Sequence, residues 1–62
     1  MKGSRRDKAN LGARVMIIRY GDQAALEATK KADEMLERGS MWRRDFWLEI
    51  KREVDRLQAE AP

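Results

Sequence analysis

Proline stands only at position 62, and two glycines, Gly21 and Gly39, cut the rest of this 62-residue chain into three stretches. Each stretch repeats its apolar residues with helical spacing, and no second β-rich run exists to pair with the short apolar string Val15–Ile18. That punctuation predicts an all-α fold of three helices. The connections at Gly21-Asp22 and Gly39-Ser40 are short, which favours neighbouring antiparallel helices. The expected arrangement is a hairpin of the second and third helices with the first packed across it. A basic arm over residues 1–8, free to remain disordered, precedes a single helical domain over 9–60.

In the first stretch, from about Ser4 or Asp7 to Tyr20, two apolar stripes lie side by side. Leu11, Val15 and Ile18 form one; Ala13, Ile17 and Tyr20 form the other. Gly12 in the middle weakens the helix by about 1 kcal/mol relative to alanine. In the second stretch Asp22 is the expected N-cap, because its carboxylate can accept a backbone N–H bond and suits the positive helix end. Ala25, Ala28, Ala32 and Met35 then recur every three or four residues, a seam thin enough for another helix to approach closely. Leu26, Thr29 and Leu36 flank it. Glu27–Lys31, Lys30–Glu34 and Glu34–Arg38 are outward i, i+4 pairs of opposite charge. The expected end is Arg38, with Gly39 as the left-handed residue after it. The third stretch takes Ser40 as N-cap and continues to about Ala59. Its seam is Trp47, Ile50, Val54 and Leu57, with Phe46 beside it, and Lys51–Asp55 and Glu53–Arg56 pair on its surface. The alanine face is expected to receive the bulky face.

Tyr20-Gly21-Asp22-Gln23-Ala24, Ala28, the run Lys31-Ala32-Asp33-Glu34-Met35-Leu36-Glu37-Arg38-Gly39, Trp47, Ile50 and Leu57 together form a pattern. Over about residues 14–58 the chain resembles short proteobacterial helical proteins of unknown function. Their pattern is tyrosine-glycine-x-x-alanine, Arg/Lys-Ala-Asp, a glycine, and a tryptophan eight residues on. The resemblance implies a bacterial helical domain and no reaction. The chain departs from it at Ser40, where those proteins often carry Asp, and at Arg43, where they often carry Gly.

Composition narrows the function. With no cysteine and no histidine, disulfides, standard zinc sites, thiol nucleophiles and Ser-His-Asp triads are all excluded. The dispersed Gly3, Gly12, Gly21 and Gly39 make no phosphate-cradling loop, and Tyr20 and Ser40 have no base at readable spacing. The carboxylate pairs Asp33/Glu37 and Glu49/Glu53 read as solvated, salt-bridged surface rather than as an acid–base or metal pair. The expectation is therefore no enzyme, no catalytic or metal residue and no cofactor. No run approaches the roughly 20 apolar residues of a membrane span, and the apolar stretch behind the basic start is broken by Arg14 and Arg19, unlike a signal peptide. Cytoplasmic location is the default expectation.

The net charge of +3 is uneven. Residues 1–19 carry +5 and residues 20–62 carry −2. A basic start on a near-neutral body suits an acidic partner or nucleic acid. The start of the third helix is the other unusual place. Arg43 and Arg44 occupy a first turn where the helix dipole disfavours cations by about 0.3–1 kcal/mol. Met41 and Trp42 adjoin them, and Trp, Arg and Met are residue types of binding surfaces. The plainer reading pairs the arginines with Glu34 or Glu37 and places Met41 and Trp42 over the end of the core. Met35 belongs to the seam. Candidate partner-binding residues are Met41, Trp42, Arg43 and Arg44, with Arg5 and Arg6 in the arm.

The leading expectation is a non-enzymatic protein–protein interaction module, self-associating or part of a larger assembly. A core in a chain this short rarely supplies more than about 3–5 kcal/mol, and association is the remedy open to a chain without cysteine or metal ligands. The contact elements would be the Trp42 region and whatever apolar residues of the first helix packing leaves over. The alternative is a small nucleic-acid-binding or regulatory protein using the basic arm with Arg43 and Arg44. The acidic Asp45, Glu49 and Glu53 on the third helix disfavour a helix-turn-helix reader of DNA. A membrane-surface role through Met16, Ile17 and Ile18 is disfavoured because the core needs those residues.

Overall fold

The computed structural model describes residues 5–60, and of Arg5 and Arg6 only the helical backbone. The beginning of the expected basic arm, Met1–Ser4, and the Arg5 and Arg6 side chains named as candidates lie outside what is described. All the elements among the described residues are helical: α1 (Arg5–Tyr20), a 3₁₀ turn (Gly21–Gln23), α2 (Ala24–Glu37) and α3 (Met41–Glu60). Residues 5–8, assigned from sequence to the arm, are the first turn of α1.

The two glycine turns are built differently. Gly39 adopts φ 81°, a left-handed conformation that glycine enters without steric penalty. Its N–H donates to the Leu36 carbonyl and the Ser40 N–H to the Met35 carbonyl, both at 2.9 Å. This is the Schellman closure, and it satisfies carbonyls that the helix end would leave bare. The Ser40 carbonyl then accepts the Arg44 N–H at 3.0 Å, so Ser40 is the N-cap residue of α3 that the sequence indicates. At the other turn Gly21 has φ 55°, and the chain makes one 3₁₀ turn before α2. The start of α2 is thereby shifted from Asp22 to Ala24, and no side-chain cap bond closes it. Asp22 lies inside the 3₁₀ turn, where the Ala24 N–H already donates to the Gly21 carbonyl.

The interior consists of Ala9, Ala13 and Met16 from α1, Ala24 and Ala28 from α2, and Ile50 and Val54 from α3. Ile17, Ala25, Phe46, Trp47 and Leu57 pack against it half-buried, and Ala32 is buried farther along α2. Met16 apart, α1 and α2 bring alanine to this interior, and α3 brings the bulk. Gly12 carries this furthest: a methyl group added there would lie 3.0 Å from Ile50 Cδ1. The glycine that weakens α1 as a helix lets its backbone reach α3. Every helix touches the other two, α2 and α3 most extensively and α1 and α2 least.

Polar links fasten the ends. Asn10 Nδ2 donates to Glu53 Oε1 at 3.0 Å, tying α1 to α3, and Gln58 Nε2 donates to the Gly21 carbonyl at 3.0 Å. Arg56 donates to Glu53 at 2.8 Å and to Glu60 at 3.0 Å. Those bonds and charges, Glu53 first, raise the Arg56 pKa above the usual arginine value. A raised pKa contributes below the unfolded value and is lost only as pH climbs past the folded one, so this pair is insensitive near neutrality. The Lys51–Asp55 and Glu53–Arg56 pairs form as the sequence indicates. On α2 the pairing is one residue tighter than expected, Glu27–Lys30 and Lys31–Glu34. Both spacings bring side chains together on a helix surface.

Candidate interaction surface

The face of α1 turned away from the core is the largest departure from an ordinary surface helix. Ile18 is 83% exposed and Leu11 65%, with Val15 between them at 44%. The i, i+4, i+7 spacing that marks a core stripe in sequence therefore points to solvent, and the Ala9–Ala13–Met16 side faces inward. α1 is apolar on two opposite sides and has almost no one-sided bias, unlike α2 and α3. Small residues win the inner face because they let α1 approach the bulky seam of α3, and two branched stripes cannot both do so.

Polar neighbours of the outer stripe are mostly cationic. Lys8, Arg14 and Arg19 flank it and are exposed, with Asp7 at its N-terminal end. The outer side of α2 is its electrostatic counterpart. Leu26 and Leu36 are about half exposed, and the exposed carboxylates Asp22, Asp33 and Glu37 surround them. Among the described residues none of Lys8, Arg14, Arg19, Asp22, Asp33 and Glu37 makes an ion pair.

The candidates at the start of α3 divide. Met41 and Trp42 do not close the core; they are 51% and 66% exposed. Counting back from Trp47 and Ile50 by four and seven residues, the seam position in this turn is Arg43; Trp42 lies about 100° around the helix from it and Met41 about 160°, nearly opposite. Arg43 is exposed too, its guanidinium carbon 5.3 Å from the centroid of the Trp42 ring, a cation–π contact. Arg44 meets neither Glu34 nor Glu37. Its Nε lies 3.0 Å from Asp45 Oδ1, in an orientation that does not form a hydrogen bond. Nor do Met16, Ile17 and Ile18 form one membrane-facing side. Met16 is in the core and Ile18 is on the opposite face.

For chemistry the described residues offer little convergence. No three acidic side chains among them come together as cation ligands would. Glu53 is engaged by Asn10 and Arg56. Two shallow grooves among the described residues run along α3, one lined by Asp45, Leu48, Glu49 and Arg52 and the other by Ala9, Glu49, Arg52 and Glu53. Among the described residues no helix is long and apolar enough to cross a membrane. Comparison with known proteins finds no matching family model, no similar curated protein and no similar solved structure.

Proposed function

We propose that this chain is a non-enzymatic protein–protein interaction module, built as an antiparallel hairpin of α2 and α3 with α1 across it. The short Gly39–Ser40 connection and the bond from Gln58, late in α3, back to Gly21 before α2 support that arrangement. The observation that carries the function is the outward stripe Leu11–Val15–Ile18. A contiguous exposed apolar patch on a small domain marks an interaction surface, whereas scattered exposed residues do not. Met41 and Trp42 add a second exposed apolar site.

The alternative, nucleic-acid contact through the basic arm with Arg43 and Arg44, gains less. Arg44 lies against Asp45, whose carboxylate opposes a phosphate there, and the side chains of Arg5 and Arg6 lie outside the described residues.

A photo-reactive residue placed at Ile18 in the living cell tests association directly. Covalent adducts to protein are expected there and not from the same probe at the exposed polar Asp55. Equal yields at both positions, or none at either, remove the reading.

A further inference from the structure

We infer that the occupant of the α1 stripe is the outer face of α2 on a second copy of this chain. The inference rests on the association reading above and names its partner. Two features of the molecule point to a copy. The first is electrostatic complementarity within the one sequence: aliphatic side chains Leu11, Val15 and Ile18 carry a cationic border, and Leu26 and Leu36 carry an anionic one. These border charges are unpaired in the single chain among the described residues, while the other charges of α2, Glu27, Lys30, Lys31 and Glu34, already pair locally. Two copies brought α1 to α2 satisfy both borders at once. Two copies brought α1 to α1 would set Arg14 and Arg19 against their own kind, and like-charge juxtaposition at an interface is strongly unfavourable.

The second feature is area. The accessible surface is 4553 Å², about a tenth above the roughly 4,200 Å² expected for a compact monomer of this mass. Of the large apolar residues that stand exposed, Leu11, Val15, Ile18, Leu26 and Leu36 lie on the two faces named. The contact joins two different surfaces, so it either repeats from copy to copy or is exchanged reciprocally by a pair.

Light scattering on the full-length chain, with mixing, tests the assignment. The unaltered protein is expected to exceed monomer mass at about 100 µM and to fall toward monomer as salt rises. Ile18→Glu alone and the pair Leu26→Glu with Leu36→Glu alone should each weaken association at least about tenfold. Mixed in equal amounts they should form a 1:1 complex, because one retains a good α2 face and the other a good α1 face. Arg14→Glu with Arg19→Glu should weaken association and Asp33→Lys with Glu37→Lys in the same chain should restore it. These positions are exposed, and unchanged helical circular dichroism separates a lost contact from a lost fold. A monomeric unaltered protein overturns the inference, and so does a mixture that stays monomeric while the unaltered chain associates. A monomer whose Ile18 probe still captures a different protein overturns self-association and leaves the interaction module standing.

Discussion

Gly39 shows how much one residue decides. Its backbone occupies a region that costs an L-residue with a Cβ roughly 1–2 kcal/mol, and both bonds of the α2 closure depend on that conformation. Nothing lies within 4 Å of where its Cβ would be, so the penalty is conformational and not one of crowding. Gly39→Ala is therefore expected to destabilise the fold by about 1 kcal/mol, and Gly39→Asn by less, because asparagine tolerates the left-handed region. Urea unfolding of the three proteins measures the order. A glycine at this place was legible because its job is local. Asp22 was not, because a turn that tightens to 3₁₀ geometry leaves no trace in residue type.

At the scale of elements, the facing sides of α2 and α3 could largely be read from spacing, although Ala24, outside the expected seam, is buried and Ala25 and Met35, inside it, are only half-buried. Ala28, Ala32, Ile50 and Val54 are the buried residues the periodicity marks. α1 was only half legible. Its sequence carries two stripes, and hydrophobic weight favours Leu11, Val15 and Ile18 over alanine. Packing chooses by fit, and the fit depends on the shape of α3, which no single stretch encodes. The same limit governed the start of α3, where Trp42 looked like a lid over the core and Arg43 holds the seam register. The close approach at Gly12 gives the element-scale prediction. Gly12→Leu should push α1 off Ile50 and cost about 1–3 kcal/mol, despite leucine's better helix propensity. Loss of amide-exchange protection in α1 ahead of α2 would identify the separation. A stability equal to or above that of the unaltered protein would show that α1 does not rest on α3 through this residue.

The whole molecule is flat, 38 × 32 × 16 Å, with a radius of gyration of 11.5 Å against about 10.5 Å for a compact chain of this length. Among the described side chains larger than alanine, only Val54 is buried to less than 2% exposure. So thin an interior leaves little margin for a chain alone. A fold stabilised by its own association melts later when it is more concentrated. The thermal midpoint should accordingly rise by several degrees between about 5 and 500 µM, and should lose that dependence in Ile18→Glu. A midpoint independent of concentration would mean that the monomer is sufficient.

An interior lined so largely with alanine has a thermodynamic corollary. Alanine has no rotamers to surrender, whereas a long side chain gives up as much as about 1.5–2 kcal/mol of motional freedom when it is fixed. Closing α1 and α2 onto α3 therefore freezes few torsions. The fold reaches order with little side-chain entropy lost, which is one way for so few residues to hold a shape.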